Sequence, residues 1–155
     1  MNPEQVLREI DFWKLVTVLV GLFAAYVAYR QYALGREKFK LDLFEKRFAL
    51  FAGTRRFLTH ILDDGNASLQ HLFEFRASVA EATFLFDDDI TDYLNAIDAK
   101  ALQLWKLTET IRPLPAGQER TKAAGDISEA VEWLTNQLPE LKIRFSPYLK
   151  FRRWA

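Results

Sequence analysis

The chain contains no cysteine, which excludes a disulfide framework, a thiolate metal site and a cysteine nucleophile. Glycine and proline are scarce, six and five in 155 residues, too few to punctuate an all-β domain with many turns. An excess of one charge is missing as well. The 21 lysines and arginines balance 21 aspartates and glutamates, which argues against nucleic acid as a partner, because phosphate binding draws on a net basic surface. No Gly-rich phosphate loop and no Gly-x-Ser-x-Gly elbow occurs, and no internal repeat or low-complexity tract is evident. Nothing in the sequence asks for a cofactor.

What the chain does have is an uncharged run, Leu15–Tyr29, LVTVLVGLFAAYVAY, bracketed by Lys14 and Arg30. As a helix it spans roughly 22 Å at ~1.5 Å per residue. The hydrocarbon core of a bilayer is ~30 Å thick, and Phe12 and Trp13 extend the run while Lys14 and Arg30 snorkel outward. Leu15, Val16, Val18, Leu19, Val20, Leu22, Phe23, Tyr26 and Val27 are the expected span. Trp13 at one end and Tyr26, Tyr29 and Tyr32 at the other sit where interfacial aromatic belts belong. The sequence therefore predicts one transmembrane helix.

Three other readings compete with it. A cleaved signal peptide wants a basic start and a small-residue cleavage site, whereas Glu4, Glu9 and Asp11 outnumber Arg8 and Lys14 here, and tyrosines crowd the cleavage zone. A buried core helix is kept in play by the shortness of the run. A surface-lying amphipathic helix fails because the run has no polar face. Residues 1–14 hold two Lys/Arg and residues 30–47 hold six, so the positive-inside rule places the N-terminus outside and residues 31–155 in the cytoplasm.

Downstream, residues 31–62 contain no proline. Leu41, Phe44, Phe48, Phe51, Leu58 and Leu62 alternate steps of three and four, with Arg55 at the one missing position. This coiled-coil-like seam predicts that the membrane helix continues as a stalk and offers an interaction surface; Leu50, Phe57 and Ile61 widen the stripe at its far end. DDGN (63–66) is the first break, with glycine as C-cap and asparagine able to cap the next helix. A second helix is expected over Ala67–Phe86. Asp87–Asp89 should open a third, one as N-cap and the others in its first turn, running to about Arg112 along Ile90, Leu94, Ile97, Ala101, Leu104, Thr108 and Ile111. PLPAG (113–117) separates it from a fourth, starting near Gln118. In that helix Pro139 should kink or restart the chain, and Pro147 should end it.

The expected fold is all-α: residues 1–30 as a short external N-terminus and transmembrane helix, then residues 31–155 as an antiparallel up-and-down bundle of about four helical segments. Parity returns the tail YLKFRRWA (148–155) toward the bilayer, where Lys150, Arg152 and Arg153 could meet anionic headgroups and Phe151 and Trp154 the interface. The alternative is a solvated basic tail whose aromatics finish the core.

Three stretches, KFKLDLFEKRFALF (38–51), ATFLFDDDITDYLNAI (82–97) and WLTNQL with FSPYLKF (133–138 and 145–151), together resemble a widespread family of small bacterial single-pass membrane proteins with helical cytoplasmic domains. The resemblance implies the architecture and a bacterial inner-membrane location. It implies no activity and no functional residue.

Candidate chemistry is thin. FLFDDDIT (84–91) matches the nucleophile motif of haloacid-dehalogenase-like phosphatases, but that chemistry needs the aspartates at the end of a parallel strand, with Mg²⁺ ligands on neighbouring strands. No βαβ pattern supplies them, and helix capping accounts for the acids. His60 and Asp64 are four apart, as helical metal ligands can be, yet a histidine near a helix C-terminus already has an electrostatic reason to be there. Arg55 and Arg76 interrupt apolar positions; they either pair with acids such as Asp88, Asp92 or Glu132 at the bundle edge or fix the register of a pocket or oligomer seam. The resulting expectation is a non-catalytic, membrane-anchored adaptor or self-associating scaffold that binds the lipid bilayer, an unknown protein partner and further copies of itself. The alternative is an oligomeric effector that forms a pore or perturbs the bilayer, for which Gly21, Ala24, Ala25 and Ala28 permit close helix contact.

Overall fold

The computed structural model describes residues 3–150, with side chains from Trp13 onward. Every regular element in that range is a helix: Pro3–Asp64 (α1), Leu69–Val79 (α2), the single turn Ala82–Leu85 (α3), Asp88–Ile111 (α4) and Gln118–Leu149 (α5). The chain forms two compact units that divide between Asp42 and Leu43, so α1 contributes to both.

In the first unit α1 carries the apolar run, the one described helix long and apolar enough to cross a membrane, and no residue of its most apolar window is buried. Leu15, Val18, Leu19, Val20, Leu22, Phe23 and Tyr26 are each more than half exposed, while Val16 and Val27 are less so. The hydroxyl of Thr17 donates to the Trp13 carbonyl at 2.9 Å, which satisfies one of the few polar groups within the helix itself.

The second unit is an all-α bundle. Leu50, Phe57, Leu58 and Ile61 of α1, Leu72 and Phe75 of α2, Ile90 to Leu104 of α4, and Ala130, Leu134, Leu141 and Phe145 of α5 form one buried core. Each large aliphatic or aromatic side chain taken from water there contributes ~1.5–3 kcal/mol. Neighbouring helices run antiparallel. Phe57 stacks on Phe75 at 4.4 Å between α1 and α2, Arg76 meets Asp98 between α2 and α4, Tyr93 reaches Gln137 between α4 and α5, and Phe51 meets Phe145 between α1 and α5. Among the described residues Thr54 and Gln137 are polar residues buried in the core, and both are served locally: Thr54 donates to Leu50 and Gln137 to Trp133.

Several boundaries follow the sequence signals. Gly65 adopts the left-handed φ of +61° that ends α1, a conformation open to glycine at no steric cost. Asp87 is the N-cap of α4, with Asp88 and Asp89 in its first turn.

Others differ. Ser68, not Asn66, caps α2, its oxygen accepting from the His71 amide at 3.1 Å. The helix expected over 67–86 breaks at Ala80–Glu81, where no glycine or proline marks it. Beside that break Glu81 pairs with Lys46 at 3.7 Å on the surface, and the turn that follows buries Ala82 and Phe86 while leaving Phe84 86% exposed. Pro147 does not end α5, and Pro139 does not divide it; the helix runs through both to Leu149. Proline removes one hydrogen bond to the residue four back. For Pro147 that residue is Ile143, on the exposed stretch 142–144 where water can take over its carbonyl, and the buried Leu141 and Phe145 hold the helix on the core.

Candidate functional site

The most elaborate side-chain constellation in the bundle gathers around Arg47. It lies three residues before Leu50 on the line Leu50–Thr54–Phe57–Ile61 that α1 turns to the core, so its long side chain enters the bundle where the apolar line meets a charge. Its Nε donates to the Leu85 carbonyl at 2.9 Å, a group exposed by the end of α3. Its guanidinium stands 5.5 Å from the Phe86 ring centre and 5.4 Å from that of Tyr148, within range of an electrostatic attraction to each ring face. Phe86 in turn sits edge-on to Phe145 at 5.0 Å and to Tyr148 at 5.2 Å. The Tyr148 hydroxyl donates to Asp87 Oδ2 at 2.7 Å and lies 3.3 Å from Asp89 Oδ1.

The electrostatics agree with that geometry. Desolvation lowers the Arg47 pKa from its usual value, opposed by the neighbouring Tyr148 and Asp87. Burial pushes the Tyr148 phenol up to about 12, helped by its hydrogen bond to Asp87 and the charges of Asp89 and Asp87. Tyr93 is likewise pushed up to about 12 by burial; its hydroxyl donates to the Gln137 carbonyl at 3.1 Å and the Arg144 guanidinium covers its ring at 4.7 Å. A phenol whose pKa rises on folding adds stability that is fully present below its unfolded value near 10 and is lost as pH climbs through 12. The helical unit is therefore expected to lose stability between pH 10 and pH 12. A denaturant melt followed by circular dichroism across that range should show the loss, and a Tyr93→Phe/Tyr148→Phe double variant should lose markedly less.

Chemically this constellation fastens α1, α3, α4 and α5 to one another. Arg47→Met keeps much of the stem and removes one charge-assisted bond and two ring contacts, so it should cost about 2–3 kcal/mol. Arg47→Lys should recover only part of that, because a point charge cannot present Nε to Leu85 while lying over two rings. Urea midpoints of the three proteins measure both effects. Sequence reasoning took Arg47 only as a positive flank of the span; its place in step with Leu50, Thr54, Phe57 and Ile61 was the available signal.

The other candidate residues are dispersed. Trp13, Lys14, Arg30, Tyr32 and Lys150 are exposed, and Arg152, Arg153 and Trp154 lie outside the described residues. Of the expected seam, Leu41 and Phe48 are nearly half exposed and Leu58 is buried, Phe44 and Phe51 are partly buried, and Arg55 is exposed. The bundle core thus takes a line offset from that seam, and the offset turns Arg55 outward. Phe44 and Phe48 stack at 5.9 Å along α1. Arg76 pairs with Asp98, not with Asp88, Asp92 or Glu132, through two bonds of 2.7 and 2.9 Å. His60 and His71 stack face to face at 4.5 Å beside Arg56 and Glu74 in a cleft of about 70 Å³. Among the described residues no group of three His, Asp or Glu could hold a metal ion. The Asp-x-Asp-x-Thr triplet stands at a helix start, with Asp87 and Asp89 turned to the Tyr148 hydroxyl.

Comparison with protein-family models, with curated proteins and with solved structures gives no match. The functional reading therefore rests on the residues themselves.

Proposed function

We propose that the chain is a membrane-anchored helical interaction module: α1 threads the bacterial inner membrane once, the N-terminus lies outside, and the bundle works in the cytoplasm as an adaptor, tether or self-associating scaffold without catalysis. The observation that carries this reading is the apolar run of α1, none of whose most apolar window is covered by protein. In water such a surface is costly at ~25 cal/mol per Å²; in lipid it costs nothing. The distribution of Lys and Arg on its two sides supports the orientation, and the resemblance to single-pass bacterial proteins supports the compartment. Leu41 and Phe48, half exposed on α1, support an interaction role.

Membrane fractionation tests the reading. The full chain should stay in the pellet after alkaline carbonate, and a reporter fused after Ala155 should be active in the cytoplasm only. Release by carbonate, or a reporter active only in the periplasm, overturns it. Cysteines introduced at Leu41 and Phe48 should crosslink in membranes if the module self-associates. Ion leakage on overexpression would favour the pore-forming alternative over the scaffold.

A further inference from the structure

Three phenylalanines form a row along α1. Phe51 meets Phe48 at 6.0 Å, and Phe48 stacks on Phe44 at 5.9 Å. The row is covered unevenly. Phe145 of α5 meets Phe51 at 5.8 Å, whereas Phe48 stays 48% exposed. Aromatic rings are among the side chains that gain most from being covered.

The register between α1 and α5 shows what comes next along that row. Phe145 meets Phe51, and one turn later Tyr148 meets Arg47, one turn back on α1. Another such step brings residue 151 level with Leu43 and Phe44. The helix ends at Leu149, and Lys150 has an extended backbone, φ −90° and ψ 110°. Each extended residue covers up to ~3.3–3.6 Å, while Phe44 is only about 4.5 Å from Arg47 along the axis at ~1.5 Å per residue. The residues that follow Lys150, 151–155, read FRRWA and lie outside the described range, so the chain leaves α5 within easy reach of the row. Charge agrees with that course. Asp87, Asp88 and Asp89 stand exposed at the start of α4, and the Tyr148 hydroxyl donates to Asp87 at 2.7 Å, which places these carboxylates beside the end of α5, where arginines have acids to face.

We infer that residues 151–155 strap back onto α1, Phe151 and Trp154 covering the Phe44–Phe48 end of the row and Arg152 and Arg153 facing the acids at the start of α4. The occupant is the chain's own tail because it is tethered within reach. A short tether gives an effective concentration in the mM range, which a second copy would have to outcompete. The strap does not depend on whether α1 crosses a membrane. It also closes the Phe48 part of the interaction surface until the tail lifts, a consequence that rests on the interaction role proposed above.

Photo-crosslinking tests the inference, with p-benzoylphenylalanine in place of Phe151 in the full chain, held in nanodiscs of mixed phosphatidylcholine and phosphatidylglycerol. Irradiation should join the probe to the 43–48 stretch of the same chain. Isotopically light and heavy chains reconstituted together separate an adduct within one chain from an adduct to a second copy. The same probe in place of Ile143, which is 66% exposed, should not reach that stretch. In a second measurement, Phe151→Ala/Trp154→Ala should raise hydroxyl-radical labelling of Phe48 severalfold and leave that of Phe84 unchanged. Adducts only to lipid, adducts only to a second copy, no adduct to the 43–48 stretch, or unchanged labelling of Phe48 overturns the strap. The interaction role is tested apart from it by the cysteine at Phe48 described above, so the two readings fail separately.

Discussion

Phe145→Ala should lower the unfolding free energy of the helical unit by about 3–5 kcal/mol, the usual cost of truncating a fully buried phenylalanine. Phe145 has no exposed surface. Its ring meets Phe51 of α1 at 5.8 Å and Phe86, just ahead of α4, at 5.0 Å, so truncation opens a void where three parts of the bundle converge. Those walls are fixed from other sides, Phe86 by Tyr148 and Arg47 and Phe51 by its own helix, and they cannot collapse into the space. A urea melt followed through the half-buried Trp105 and Trp133 should show a lower midpoint with an unchanged slope. Phe84→Ala is the internal comparison. That ring is 86% exposed, and its removal should stay within about 0.5 kcal/mol. A loss of less than about 1 kcal/mol for Phe145→Ala would mean the three rings do not share one packed site.

The contrast between these two phenylalanines shows what the sequence could and could not supply. Ile90, Leu94, Ile97, Ala101 and Leu104 fall at steps of four, three, four and three, and every one is buried; a periodic stripe is a local property, legible without knowing what covers it. Gly65 was equally legible because a left-handed helix end suits glycine; Asp87 stands at the expected N-cap position of α4, but its carboxylate makes no capping bond and accepts from Tyr148 instead. The break at Ala80–Glu81 was not, since it carries no glycine or proline, and the residues that the following turn meets, Arg47, Phe145 and Tyr148, come from distant stretches of the chain. Pro147 misled for the same reason in reverse. Its lost hydrogen bond falls on an exposed stretch, and burial of Phe145 outweighs it. The Arg47 constellation brings together six residues that lie 38 or more positions from Arg47 in the chain. Periodicity finds which face is apolar. Only tertiary structure shows where a charge such as Arg47 enters that face and what it meets there.

Replacing both Leu19 and Phe23 with arginine should abolish membrane retention of the full chain. The two positions are four apart on one face of α1 and are 57% and 69% exposed, so neither substitution meets a packed neighbour. If that face touches lipid, as we propose, each arginine near the middle of the span costs about 2.5–3.5 kcal/mol on insertion scales, and the pair about twice that. Snorkelling relieves little so far from either end of the run. If the face instead touches water, the same substitutions are nearly neutral and the chain fractionates as before. Phe84→Arg with Ile143→Arg adds the same charge at exposed positions of the bundle and should leave fractionation unchanged, which separates a local effect on the span from a general gain in solubility. The bundle supplies a second check. Leu19 and Phe23 belong to the first unit and none of the core residues does, so the urea midpoint of the second unit should not move in the Leu19→Arg/Phe23→Arg protein. A shifted midpoint together with lost retention would mean the substitutions unfolded the chain, whereas lost retention alone assigns the effect to lipid.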